Sequence, residues 1–186
     1  LGPARTMLGA EQEAWLARSL HDSRARCNLL AQQTLVGRCD RRAGPGEGWW
    51  TDGWDGYPEA RRRLLETVRA SGAAHPIALG GDVHAFYAGE LHVDFDRPDA
   101  TPTMLEFVGG SISSQGPTQA MLDAQLAENP NLRWAAGGVR GYARLDLTRD
   151  RASVALRGVD DVTDPASGCR TIRTFELRAG ALRLEG

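Results

Sequence analysis

Hydrophobic positions along the chain mark out helices first and strands later. Residues 10 to 20, AEQEAWLARSL, set Ala14, Trp15, Leu16 and Leu20 among charges at helical spacing, which predicts a short surface helix with Trp15 turned inward. Residues 25 to 36, ARCNLLAQQTLV, alternate poorly, and their aliphatic content favours strand slightly over helix. The next stretch, DRRAGPGEGWWTDGWDG, is too rich in glycine to hold a regular element and reads as a loop. Pro58 suits a first helical position, Ala60, Leu64, Leu65 and Val68 form one apolar face, and Gly72 ends the helix. Arg61, Arg62 and Arg63 fall largely outside that face, as a solvated edge or, less simply, a phosphate-binding cluster.

After His75 and Pro76, the run Ile77-Ala78-Leu79 is short, apolar and closed by Gly80-Gly81, the pattern of a buried central strand that delivers a loop at its carboxyl end. From residue 103 onward TMLEFV, RGYARLDL, SVALRGV, IRTFELR and ALRLE read as strands. One helix, roughly 117 to 127, interrupts them, and turns are expected at Thr148–Arg151 and at Ala179-Gly180. Leu145 and Leu147 alternate with Arg144 and Asp146, which gives a wet face and a buried face. The fold class is α/β, largely antiparallel in its second half, with 1–186 as one unit.

Composition narrows the function classes. A chain of 186 residues with 41% hydrophobic and 25% charged residues is globular, and it has no apolar run of the roughly 18 residues a membrane span needs. A formal charge of -2 gives no reason to expect a nucleic acid backbone as partner. All 22 basic residues are Arg, which we read as codon bias rather than chemistry. Cys27, Cys39 and Cys169 share no CxxC spacing and indicate neither a disulfide framework nor a zinc cluster. The first residues lack the regions of a signal peptide and read like the middle of a longer chain.

Three segments carry candidate chemistry. In Gly80-Gly81-Asp82-Val83-His84 an extended backbone would point Asp82 and His84 the same way with Cα atoms about 6.5 Å apart, within reach of one metal pair. Spacing alone leaves a hydrogen-bonded loop histidine as the alternative. In Asp52-Gly53-Trp54-Asp55-Gly56-Tyr57-Pro58, Asp55 serves either a cationic centre or simply the helix terminus that follows. Phe107-Val108-Gly109-Gly110-Ser111-Ile112-Ser113-Ser114 runs a strand into a Gly- and Ser-rich loop, which suits a phosphate or an ordinary turn.

Taken in order, RTMLGAEQEAWL, NLLAQQT, DGWDGYPEARRRLL, LGGDVHAFYAGEL, EFVGGSISS, ENPNLRW, RGYARLDLT and VDDVTDP resemble the carboxyl-terminal half of alkaline phosphatase D (PhoD-like) enzymes, a branch of the calcineurin-like metallophosphoesterases. Departures are Arg26-Cys27, where a tryptophan is usual, and Gly110, where Thr is common. The resemblance implies the carboxyl-terminal part of an α/β/β/α sandwich, hydrolysis of phosphomonoesters and phosphodiesters, iron and calcium or other divalent metals as cofactors, and export from the cytoplasm. It matches Asp82 and His84 to metal ligands, makes Asp55 a further acidic ligand or supporting group, and gives His84 an alternative role as proton donor to the leaving group. Asp55, Asp82 and His84 are then expected to converge, with other ligands coming from an amino-terminal half. Rival readings are a non-catalytic β-rich module that binds metal weakly, and a partner-binding domain using Trp49, Trp50, Trp54 and Tyr57.

Overall fold

Helical spacing and period-two alternation resolve into three helices and eight strands in a computed structural model that describes residue 2 and residues 4–149, 151–177 and 183–184. Helix α1 (Ala10–Asp22) leads to strand β1 (Asn28–Ala31), and a long irregular loop ends in a single 3-10 turn at Trp54–Gly56. Helix α2 (Pro58–Ser71) starts at the expected proline and stops at Gly72, whose φ of 64° is the left-handed conformation that glycine enters most readily. There follow β2 (Pro76–Gly80), β3 (Phe86–Leu91), β4 (Met104–Val108), α3 (Gln119–Glu128) and β5 (Leu132–Ala136). The chain then runs through β6 (Arg140–Leu147), β7 (Ala152–Val159) and β8 (Cys169–Leu177).

Two sheets result. The first has the order β1-β2-β4-β3-β5, with β1, β2 and β4 parallel and β3 antiparallel to both β4 and β5. The second is the antiparallel meander β6-β7-β8. Ile77 and Ala78 are out of water and sit between β1 and β4, as their unbroken apolar run predicts. Alternation sends Ile77, Leu105 and Phe107 into a core shared with Val154, Leu156 and Phe175 of the second sheet. Ala78 and Met104 face the other way, onto Leu64, Leu65 and Val68 of α2. The layers are helices, five-stranded sheet, three-stranded sheet.

Several expectations change. Trp15 is 56% exposed, because the inward stripe of α1 runs through Glu13, Leu16, Ala17 and Leu20, and one residue along a helix is a turn of about 100°. Arg61 is buried rather than solvated, whereas Arg62 pairs with Glu59 and Glu66 on the surface and Arg63 with Glu13. The three arginines therefore share no partner: Arg61 pairs with Asp55, Arg62 with Glu59 and Glu66, and Arg63 with Glu13. FYAGEL and LRWAA are strands of the first sheet, which the reading above did not single out. The hairpin at Thr148–Arg151 forms, with Thr148 N–H donating to Arg151 O at 2.8 Å. Ala179-Gly180 and most of ALRLE lie outside the described residues.

Candidate active site

Parallel strands that end together leave their following loops together. Gln32 N–H donates to Leu79 O (2.9 Å), Gly81 N–H to Gln33 O (3.1 Å) and Gly109 N–H to Gly80 O (3.0 Å). The loops after β1, β2 and β4 are thereby stitched into one rim at the carboxyl ends of the strands, where ligands of open α/β sheets bind. Close packing there depends on glycine: a Cβ on Gly80 would lie 2.3 Å from Thr34 O, and one on Gly116 would lie 1.9 Å from His84 O. Gly110 has no room for a side chain either, since a Cβ would meet the Phe86 ring at 2.6 Å.

Asp82 and His84 stand on this rim and are exposed. They do not lie in an extended segment. Both are left-handed, with φ of 68° and 57°, and Val83 N–H donates to Gly81 O at 2.8 Å, so the backbone turns sharply where a strand geometry was expected. Asp and His tolerate this conformation better than most side chains, and each instance still costs on the order of 1 kcal/mol. A backbone held in an unfavourable conformation at an exposed acid and imidazole marks a position set by more than local preference. The hydroxyl of Thr34, buried beside the same rim, has no hydrogen-bond partner.

Asp55 belongs to another constellation. Trp54 reaches the rim, where its indole N–H donates to Gln32 Oε1 at 3.3 Å. The Asp55 carboxylate turns instead to the guanidinium of Arg61 and accepts from Cys39 N–H at 3.2 Å. Burial pushes this carboxyl up from its ordinary value, and Arg61 pulls it back. Arg61 also donates to Val36 O at 3.3 Å, and Glu106, wholly buried in β4, accepts from Val36 N–H (2.6 Å) and Gly37 N–H (2.9 Å). Burial raises the Glu106 carboxyl to about 7 against the pull of those two donors. Asp55, Arg61 and Glu106 thus hold residues 36–39, the segment that leads out of the rim loop after β1.

Among the described residues no three His, Cys, Asp or Glu side chains are gathered so as to hold a metal ion. Asp55, expected to converge with Asp82 and His84, has its carboxylate bonded to Arg61 and to Cys39 N–H. A carboxylate and an imidazole suit iron and many divalent metals, and a carboxylate suits calcium, so Asp82 and His84 fit as donors while falling short of a complete set.

Reading the sequence missed Glu106 and the pairing of Asp55 with Arg61. The signal for Glu106 was present: TMLEFV carries one charge inside an otherwise apolar strand, and a buried charge must be hydrogen-bonded.

A sequence profile described as PhoD-like phosphatase matches residues 1–156. The alkaline phosphatase D of Bacillus subtilis (strain 168) is 36% identical over 176 residues, which covers 93% of this chain and 30% of that protein. A solved structure of PhoD superposes with a TM-score of 0.90 at 34% identity, over 98% of this chain and 35% of the other. The chain spans about a third of the length of these relatives.

Proposed function

The chain belongs to the PhoD-like phosphatase family, and from that membership we propose that its rim of Asp82, His84 and the Gly- and Ser-rich loop forms one side of a metal-dependent phosphoester hydrolase site. The observation that carries this reading is the placement of Asp82 and His84, exposed and left-handed, at the carboxyl ends of three parallel strands. The α/β/β layering extends to the family's sandwich in this reading, and phosphomonoesters or phosphodiesters are the substrates. Iron and calcium are the metals the family suggests; when bound they would supply a water activated for attack and positive charge to neutralise the phosphoryl oxygens.

Asp82 and His84 would be two of the ligands, with further donors from outside this chain. Asp55 acts through Arg61, Cys39 and residues 36–39 rather than on the metal. A protonated His84 is the alternative, donating its proton to the leaving oxygen. The loop from Gly109 to Ser114 offers backbone N–H groups and hydroxyls to a phosphate. Enzymes of this family are commonly exported, and the same location is proposed here.

The test is turnover of bis-p-nitrophenyl phosphate with added iron and calcium. We expect little activity from the 186-residue chain alone, high activity when the chain is fused to the remainder of a PhoD-like phosphatase, and loss of at least 100-fold in that fusion on Asp82→Asn, about 3 kcal/mol of transition-state stabilisation. Full activity in the chain alone would overturn the need for outside donors. An unimpaired Asn variant would overturn the ligand assignment.

A further inference from the structure

NLLAQQT contributes its backbone to the rim, and its first glutamine contributes a side chain as well. β1 stops at Ala31, and Gln32 N–H makes one more bond to β2, to Leu79 O at 2.9 Å. From that anchor the half-buried Gln32 side chain folds forward over the next turn. Its Oε1 accepts from Thr34 N–H (3.1 Å) and from the Trp54 indole N–H (3.3 Å), and its Nε2 donates to Thr34 O. The carboxamide meets both backbone groups of Thr34, as a neighbouring strand would, at a point where the chain has left the sheet. Two donors face the oxygen and one acceptor faces the nitrogen, so a carboxamide serves all three and a carboxylate does not.

The turn that Gln32 closes lies directly against Gly80 and Gly81. A Cβ on Gly80 would sit 2.3 Å from Thr34 O and 2.8 Å from Gln32 Nε2, so the end of β2 rests on the two groups that the amide joins. Gly81 N–H then donates at 3.1 Å to the carbonyl of Gln33, the residue held between Gln32 and Thr34. Asp82 follows at once with φ of 68°, and His84 two residues later with φ of 57°. Trp54, 3% exposed in the core beside α2, gives the amide a fixed point outside the loop. We propose that Gln32 is a positioning residue of the site: its carboxamide, held by Trp54, sets the turn from Gln32 to Thr34, and through Gln33 O and Gly80 that turn sets where Asp82 and His84 stand. The proposal rests on the reading of Asp82 and His84 as site residues. It gives Trp54 a part in the site through Gln32, whereas Asp55 beside it holds residues 36–39.

Gln32→Met keeps the length of the side chain and removes all three bonds. Gln32→Glu keeps the oxygen that Thr34 N–H and Trp54 meet and turns a second oxygen on Thr34 O; it decides alone if the apolar variant does not fold. Val68→Ala, in the core about three turns along α2 from Pro58, is the control for general destabilisation. In NMR spectra of the 186-residue chain without metal, both Gln32 variants should move the Gly81 amide and the His84 ring resonances, and Val68→Ala should leave them in place while lowering the thermal midpoint. In the fusion to the remainder of a PhoD-like phosphatase, both Gln32 variants should lower kcat by about 10- to 100-fold with KM for bis-p-nitrophenyl phosphate within about 3-fold, as displaced reacting groups require. Resonances that stay in place in the Gln32 variants would overturn the proposal, and so would an unchanged kcat in an active fusion. Equal movement in Val68→Ala would reduce Gln32 to a contribution to stability and overturn it too. A native fusion without turnover would fall on the hydrolase reading instead, and the resonances of the chain alone would then decide the role of Gln32.

Discussion

Arg61 closes over Asp55 across the first turn of α2, and the two side chains are only 6% and 9% exposed. Breaking a buried pair strands the remaining charge, at a cost of about 3–5 kcal/mol. Arg61→Ala is therefore expected to destabilise the chain by that amount in urea unfolding. Asp82→Asn, at an exposed position that Asn also tolerates, should stay within about 0.5 kcal/mol of the native chain. Similar losses in both would undo the separation of Asp55 as a structural group from Asp82 as a site residue.

Glu106 should make stability fall as pH rises. Its carboxyl is raised to about 7 in the folded chain, from an ordinary 4.5, so the native state holds this proton more tightly than the unfolded chain. The resulting stabilisation is present below pH 4.5 and lost as pH rises through about 7, an effect of roughly 3 kcal/mol at most. Glu106→Gln should flatten this part of the curve when unfolding midpoints are compared at pH 5 and pH 7.5. A slope that survives unchanged in the variant would assign it to another raised carboxyl, such as Asp55, and not to Glu106.

His92 acts in the opposite sense. It is buried against Phe95, neither ring nitrogen has a hydrogen-bond partner, and burial lowers its pKa below the ordinary 6.5. Glu90 opposes the shift, while Arg183 and Arg133 add to it. The stability that goes with the neutral ring is present above 6.5 and lost as pH falls through the lowered value. His92→Leu should remove that acid-side loss and gain about 1–2 kcal/mol at neutral pH by deleting two unsatisfied groups. A destabilised variant would count against this.

Gly116 fixes the height of the His84 backbone. A Cβ there would sit 1.9 Å from His84 O, a contact that only movement can relieve. Gly116→Ala should cost about 1–3 kcal/mol in thermal unfolding and shift the His84 ring resonances in an NMR spectrum. Unchanged resonances would show that the Gly116 loop yields instead.

Elements with strong local signals were legible in the sequence. Pro58 and Gly72 bound α2 because both residues have backbone conformations few others share. Ile77-Ala78 declared itself by lacking any polar position. FYAGEL was less plain: it is buried on both faces and includes Gly89 and Glu90, so neither alternation nor apolar continuity betrays it. Trp15 went astray because hydrophobicity alone does not say which stripe of α1 meets the core, and Glu13, tied to Arg63, takes a place on the inward one. GDVH was visible as a motif, but its conformation was not: Asp82 and His84 are both left-handed, and the backbone of His84 packs directly on Gly116, a neighbour 32 residues away in the chain. The pairing of Asp55 with Arg61 was not legible, because no spacing rule joins the two across a helix start.

The order of strands also sets an order of events. β6, β7 and β8 join neighbours in sequence, as Leu147 pairs with Ala152, so their hairpins close over short loops at little entropic cost. The first sheet must pair Asn28 with Pro76 and tie Glu106 to Val36 across 70 residues, and contacts of such separation form slowly. The meander is then expected to form early, and the rim that carries Asp82 and His84 to assemble last. Until it closes, the strands β1 and β2 are the stretch of chain most open to proteolysis and to pairing with the wrong neighbour.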